Sequence, residues 1–291
     1  MTLTFRQIHP HFAAEVSEID LREVHDPATL AEIRTGMDQY AVLVFRNQKL
    51  SGKEQIEFSQ RFDGKLHTQT SLSVLTKNRH GNEALSDVAN VNENGEIMAR
   101  DDRRRMTNFG NRLWHTDASF VSPPGRYSLL LGKVIPAVRA DTEFADMRAA
   151  YDALSDEVKK TIQDLYVHHT IVYSREILGF EFSKEEQDKL KGAVHPLVRT
   201  IPGSQRRALY LASHASHVMD WPIPEGRMLL RDLTEHATQR EFVYQHEWHE
   251  HDLVIWDNRA TMHRAMPFDD VNHRRELTRV TTLDIEMTQE A

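Results

Sequence analysis

Trp114-His115-Thr116-Asp117 sets an imidazole and a carboxylate two residues apart. On an extended segment, where side chains alternate with a period of two, both groups point to the same side and can grip one metal ion. A third ligand must come from elsewhere, and His263 is the candidate. It follows the apolar run Leu253-Val254-Ile255-Trp256, and Arg275 stands 12 residues beyond it in Arg274-Arg275-Glu276-Leu277-Thr278-Arg279. Ligands on short strands almost half the chain apart favour a jelly roll over a doubly wound sheet, because its two sheets enclose a cavity where distant strands meet. The expected class is mainly β with flanking helices, provided that the segment from about Asn108 to Phe120 is extended.

Two imidazoles and one carboxylate leave three positions open on one side of an octahedral iron, as in non-haem Fe(II) oxygenases. That is room for a bidentate 2-oxo acid and O2. The site keeps a net positive charge, which attracts an organic acid. Arg275 offers a planar fork that pairs with a carboxylate through two hydrogen bonds, and Arg279, four residues on, shares its strand face. An isolated His-x-Asp is a weak signal in a chain with 17 histidines, since motifs need structural context. Asn111, four before His115, is a further candidate for the pocket.

Longer blocks supply that context: His11-Phe-Ala-Ala-Glu-Val, Ile19-Asp-Leu-Arg-Glu, Leu113-Trp-His-Thr-Asp, Asp141-Thr-Glu-Phe-Ala-Asp-Met, His214-Ala-Ser-His217, Trp256-Asp-Asn-Arg, His263-Arg and Arg274-Arg-Glu-Leu-Thr-Arg-Val-Thr-Thr-Leu-Asp. Through them the chain resembles, nearly end to end, the 2-oxoglutarate-dependent dioxygenases of the taurine and 2,4-dichlorophenoxyacetate type, most closely the phenoxy-herbicide enzymes. The resemblance implies a double-stranded β-helix (a jelly roll, cupin-like) with His115, Asp117 and His263 as Fe(II) ligands. Thr142 and Arg275 would hold the distal carboxylate of 2-oxoglutarate, and Arg279 would meet the acid group of the primary substrate. The family segment matching Leu209–Val218 lines the substrate pocket, which makes His214 and His217 candidates for substrate contact.

The implied reaction consumes 2-oxoglutarate and O2, releases succinate and CO2, and hydroxylates a carbon beside an ether oxygen of a small anionic aromatic substrate. An aryloxyacetate such as 2,4-dichlorophenoxyacetate would then give a phenol and glyoxylate. Three places depart from the family pattern: Arg139-Ala140 where small glycines commonly precede the Asp-Thr pair, Met266-Pro267 in place of a basic pair, and the poorly aligning loop before residue 107. None removes a ligand, but each bears on substrate choice. Taurine-like sulfonates and alkyl sulfates therefore stay open as substrates, and a non-catalytic cupin-like binding protein is the alternative from another class.

His246-Glu-Trp-His-Glu-His251 is a rival metal motif of the zinc-hydrolase kind. The helical His-Glu-x-x-His pattern needs its histidines four apart, whereas His246 and His249 are three apart, and the stretch lies between two strand-like runs. It reads as a polar turn.

At 291 residues and 40% hydrophobic content, with no repeat or linker, the chain suits a single domain spanning 1–291. A formal net charge of −8 argues against a broad nucleic-acid footprint. No apolar run approaches the roughly 20 residues of a membrane span, and no export signal is evident. The absence of cysteine excludes disulfides and thiolate ligands, which fits a cytoplasmic location. A homo-oligomer is the expected assembly.

Punctuation sets the elements. Asp26-Pro27 predicts a helix start running toward Met37, Tyr40–Phe45 a buried strand, and Ser51 with Glu54 a capping box for a helix through about Arg61. The stretch from His67 to about Arg105 reads as a long loop with short strands near the mouth of the site. Strands are expected at Tyr127–Val134 and Thr142–Phe144, and helices at Ala145–Leu154, Glu157–Leu165, Phe182–Lys191 and Glu225–Ala237. The last of these carries Met228, Leu229, Leu230 and Leu233 as an apolar stripe.

Overall fold

The computed structural model describes residues 2–68 and 79–285. Its main sheet has seven strands in the order Phe5–Gln7, Ala14–Val16, Val42–Phe45, Leu253–Asp257, Gly125–Val134, Glu276–Leu283, Ser86–Ala89. Leu253–Asp257 lies between two antiparallel neighbours, with Leu253 opposite both Phe45 and Leu131. Every residue of Val42–Phe45 and Leu253–Asp257 is buried, so these central strands read as continuous apolar runs.

The period of two divides those runs between two cores. Leu43, Phe45, Leu129, Leu131, Leu253 and Ile255 pack against Ile33, Met37, Phe58 and Phe62 of the helices Pro27–Tyr40 and Gly52–Asp63. Val42, Val44, Leu130, Val254 and Trp256 face the opposite way and pack on Phe144. Phe144 belongs to a three-stranded antiparallel sheet, Val243–His246, Thr142–Asp146, Thr261–Ala265, and its ring lies 5.4 Å from that of Trp256. A third cluster joins the helices Met147–Asp152 and Ile223–Ala237 to the strands Tyr166–His169 and Ala215–Val218.

The caps expected at Asp26 and Ser51 form. Asp26 accepts from the Thr29 amide, Ser51 and Glu54 make a reciprocal capping box, and Gly64 ends that helix at φ +75°. Ser183 and Glu186 make a second box, on the helix Lys184–Lys189.

Several expectations are corrected. The segment 108–120 is not extended throughout: Arg103–Asn108 is helical, Phe109–Arg112 is a 3-10 turn, and only His115 pairs, opposite His263, before the chain turns. Thr142–Asp146 stays in its sheet, so the following helix begins at Met147 rather than Ala145. Met228 is exposed, and the buried stripe of its helix is Gly226, Leu230, Leu233 and Ala237. The stretch expected as a long loop with short strands does carry one, Ser86–Ala89, on the edge of the main sheet, and 69–78 lie outside the described residues. Among the described residues no helix is long and apolar enough to cross a membrane.

Candidate metal centre and its two cavities

His115 and His263 meet where a loop touches the end of a sheet, each donating its amide to the other's carbonyl (3.0 and 2.8 Å). Asp117 follows on the turn. The Nε2 atoms of His115 and His263 stand 3.9 and 3.8 Å from the two oxygens of Asp117, and one donor atom from each of the three residues lies within 4.8 Å of the others. The His115 Nδ1 is 2.8 Å from the Leu113 carbonyl oxygen. Donation there leaves the Nε2 lone pair free to ligate, the usual way a metal-binding imidazole is fixed. The His263 ring packs against Trp256, with centroids 4.5 Å apart.

A hydrogen-bond relay holds the carboxylate in place. Ser128 Oγ donates to Asp117 Oδ2 (2.7 Å) and accepts from the Asn258 side-chain amide (2.9 Å). Asn258 Oδ1 in turn accepts from the Asp117 amide (3.1 Å) and the Trp256 indole (3.0 Å). Arg279 Nη1 donates to Asp117 Oδ1 at 2.5 Å. Burial by itself pushes the Asp117 carboxyl up, but the Arg279 charge foremost, then His263, His115 and the Ser128 bond, hold it below its ordinary value. Burial lowers the His115 imidazole to about 4 and takes His263 well below its ordinary value. The donor set is thus two neutral imidazoles and one ionised carboxylate, which fits a divalent metal with open positions.

Two cavities meet at these ligands. The inner one is walled by Val88, Leu130, Trp256 and Ala265 and reaches Thr142 and Arg275. Trp248 Nε1 donates to Thr142 Oγ1 (3.0 Å), which leaves the threonine proton to donate elsewhere. Arg275 is 7% exposed, has no ion pair among the described residues, and has a buried Nε without a partner. Burial lowers its guanidinium to about 10. The outer cavity is lined by His67, Phe120, Ile171, Arg175 and His214 among others. Asn111, His115 and Arg279 border both.

Of the residues singled out in the sequence, His115, Asp117, His263, Thr142, Arg275, Arg279, Asn111 and His214 therefore gather at one place. His217 does not. It sits opposite His168 in the sheet and bonds Ser216 Oγ (2.9 Å), away from either cavity. The rival motif also dissolves: His246 is buried against Asp252 (3.3 Å), whereas the His249 side chain is 67% exposed. Among the described residues, His115, Asp117 and His263 form the only group spaced to hold a metal.

The sequence matches the taurine catabolism dioxygenase TauD, TfdA family over residues 4–281. The chain belongs to this family. It is a 2-oxoglutarate-dependent dioxygenase. It is 45% identical to the alpha-ketoglutarate-dependent 2,4-dichlorophenoxyacetate dioxygenase of Cupriavidus pinatubonensis, over 98% of this chain and 99% of that one. It is 30% identical to the (S)-phenoxypropionate/alpha-ketoglutarate-dioxygenase of Sphingobium herbicidovorans, over 90% of this chain and 89% of that one. Among solved structures, AAD-2 in complex with Mn(II) and N-oxalylglycine superposes with a TM-score of 0.93 at 44% identity, over 97% of this chain and 98% of that one.

The site holds residues that sequence reasoning missed. Ser128 and Asn258 act through Asp117; Asn258 lies in the Trp256-Asp-Asn-Arg block, but nothing in the pattern around Ser128 marks it. Arg175, Phe120 and Ile171 reach the outer cavity from irregular segments and a short helix, where no periodicity points to them.

Proposed function

We propose that this dioxygenase hydroxylates the methylene carbon beside the ether oxygen of an aryloxyacetate such as 2,4-dichlorophenoxyacetate. The hydroxylated product is a hemiacetal, which collapses to a phenol and glyoxylate. The near-full-length likeness to a dioxygenase named for that substrate carries this reading. The paired cavities support it, since each offers space for one of two organic acids beside the ligand set.

When bound at His115, Asp117 and His263, Fe(II) supplies the redox chemistry that couples O2 to the decarboxylation of 2-oxoglutarate and the oxidation of the substrate. The chain's own residues position and neutralise. Leu113 and the Ser128–Asn258 relay hold the ligand atoms in place. Arg275 pairs with the distal carboxylate of 2-oxoglutarate, an acid that replaces the solvation its guanidinium has lost, and the Thr142 hydroxyl donates to the same group. Val88, Leu130 and Trp256 keep the inner cavity apolar around the cosubstrate chain. Arg279 borders both cavities and offers its remaining N–H groups to the primary substrate's acid while Nη1 holds Asp117. Asn111 and His214 complete that wall.

The two sheets that share Phe144 and Trp256 in one core are read as the facing walls of a double-stranded β-helix, a jelly roll. The match over residues 4–281 supports a single dioxygenase domain.

A substrate panel of aryloxyacetates, phenoxypropionates, taurine and alkyl sulfates, scored by succinate release with Fe(II) and 2-oxoglutarate, tests the reading. Aryloxyacetates should lead. A sulfonate or sulfate ester turned over faster than any aryloxyacetate would replace it.

A further inference from the structure

Five arginines are buried in the described structure: Arg148, Arg175, Arg199, Arg259 and Arg275. Three have a carboxylate against them, Arg148 with Asp146 (3.0 Å), Arg199 with Asp284 (2.5 Å) and Arg259 with Asp257 (2.8 Å). Arg275 and Arg175 have none among the described residues. Leaving a guanidinium buried and unpaired costs several kcal/mol, so two such groups call for two anions. Arg275 faces the inner cavity and Arg175 the outer one.

We infer that Arg175 supplies the main counter-charge for the carboxylate of the primary substrate. The inference rests on the aryloxyacetate reading above and adds to it the residue that selects an acid.

Arg175 lies in the last turn of the short helix Ile171–Glu176 and is 4% exposed. Its Nη1 donates to Ser174 Oγ (2.9 Å), while its Nε is buried with no partner. The guanidinium lies against Gly110, where an added Cβ would come within 2.1 Å of Cζ, so glycine at 110 makes the seat.

The neighbouring polar groups can only assist. Arg279 gives Nη1 to Asp117 and shares its charge with that carboxylate, so only its remaining N–H groups, the buried and unpartnered Nε among them, are left for the acid. Ser174 Oγ donates its only proton to the Ile171 carbonyl (2.8 Å), so His214 Nδ1, 2.9 Å from Ser174 Oγ, must be the donor of that pair. The other nitrogen of the neutral His214 ring then presents a lone pair, which repels a carboxylate. Phe120 packs edge-on to His214 at 4.9 Å and, with Ile171, gives the cavity an apolar wall suited to an aryl ring. Acid and ring thus have separate places in one cavity beside the ligand set.

The test is anaerobic binding calorimetry on the Fe(II)- and 2-oxoglutarate-loaded enzyme, comparing 2,4-dichlorophenoxyacetate with its uncharged methyl ester. Wild type should bind the acid at least tenfold more tightly than the ester. Arg175→Met should weaken acid binding roughly 30-fold, about 2 kcal/mol at 1.4 kcal/mol per factor of ten, and ester binding less than threefold. The dissociation constant of 2-oxoglutarate should stay within twofold. Arg175→Lys should recover part of the preference for acid. Gly110→Ala, which unseats the guanidinium and leaves its charge in the protein, should lower that preference even if Arg175→Met does not fold. Retention of the wild-type margin by Arg175→Met, or by both Arg175→Lys and Gly110→Ala, overturns the assignment. Wild type that binds the acid but releases no phenol would sink the reaction proposed above and leave the role of Arg175 to be decided by the same binding data. Wild type that does not bind the acid removes both.

Discussion

The inner and outer cavities share His115, Asn111 and Arg279 yet are built differently. The inner one is walled by strands: Leu130, Thr142, Trp256 and His263 all lie in the two sheets that share a core. The outer one is walled largely by the turn after Asp117, the helix Ile171–Glu176 and the loop carrying His214. Strands fix side chains through long antiparallel registers, so the residues reaching the inner cavity are set by the cores that pack the sheets. Loops and short helices can change without disturbing those cores. On the proposed assignment of the two acids, cosubstrate handling belongs to the framework and substrate choice to its attachments.

The sharpest way to break this account is at the candidate ligand set where the two cavities meet. His115→Ala or Asp117→Ala should reduce Fe(II)-dependent succinate formation to background while the far-ultraviolet circular dichroism stays close to wild type. Near-normal turnover in either variant at ordinary iron concentration would remove the metal assignment.

Replacing Arg275 sharpens the division between cavities. Arg275→Met removes a charge-assisted pair of about 1.5–3 kcal/mol, so the 2-oxoglutarate requirement should rise roughly 10- to 150-fold. The Kd of the aryloxyacetate should move much less. If both ligands weaken equally, the two cavities do not bind two separate acids.

Behind the carboxylate, Ser128→Ala or Asn258→Ala should cost roughly 10- to 100-fold in metal affinity, the usual range for a residue that orients a ligand. Equilibrium dialysis against Fe(II) or Mn(II) measures it, and unchanged affinity in both variants would mean that Asp117 needs no relay.

The smallest expected effect lies outside both cavities. Burial foremost raises the Asp63 carboxyl to about 6, against the opposing pull of Arg126. Its folded pKa exceeds the ordinary carboxylate value, so the stability it contributes is fully present below about pH 4 and is lost as the pH rises through about 6. Asp63→Asn should flatten the pH profile of unfolding free energy over that window, by an amount on the order of 1–3 kcal/mol, and leave 2-oxoglutarate binding untouched. A variant profile parallel to wild type between pH 4 and 7 would contradict the shift.

The same contrast explains what could be read from sequence. The apolar runs of Tyr40–Phe45 and Leu253–Trp256, the capping box of Ser51 and Glu54, and the His-x-Asp pair were legible because each is local. Arg275 and Arg279 were legible as an Arg pair on one face, although the strand itself begins at Glu276. The extended conformation expected for 108–120 was not found, because His115 makes one bridge to His263 and the chain then turns, with Ala118 at φ +56°. Asp117 reaches the metal side through that turn rather than through strand alternation. His217 looked equivalent to His214 by spacing, but the irregular register between Ala215 and His217 carries it opposite His168. Arg175 was invisible for a different reason: nothing local distinguishes an arginine awaiting an acid from one bonded to a distant aspartate.

Product stoichiometry tests the central claim most directly. With Fe(II), O2 and 2-oxoglutarate, 2,4-dichlorophenoxyacetate should yield succinate, glyoxylate and 2,4-dichlorophenol in equal amounts, all three vanishing when 2-oxoglutarate is withheld. Phenol release that persists without 2-oxoglutarate, or succinate formed with no phenol from any aryloxyacetate, would contradict it.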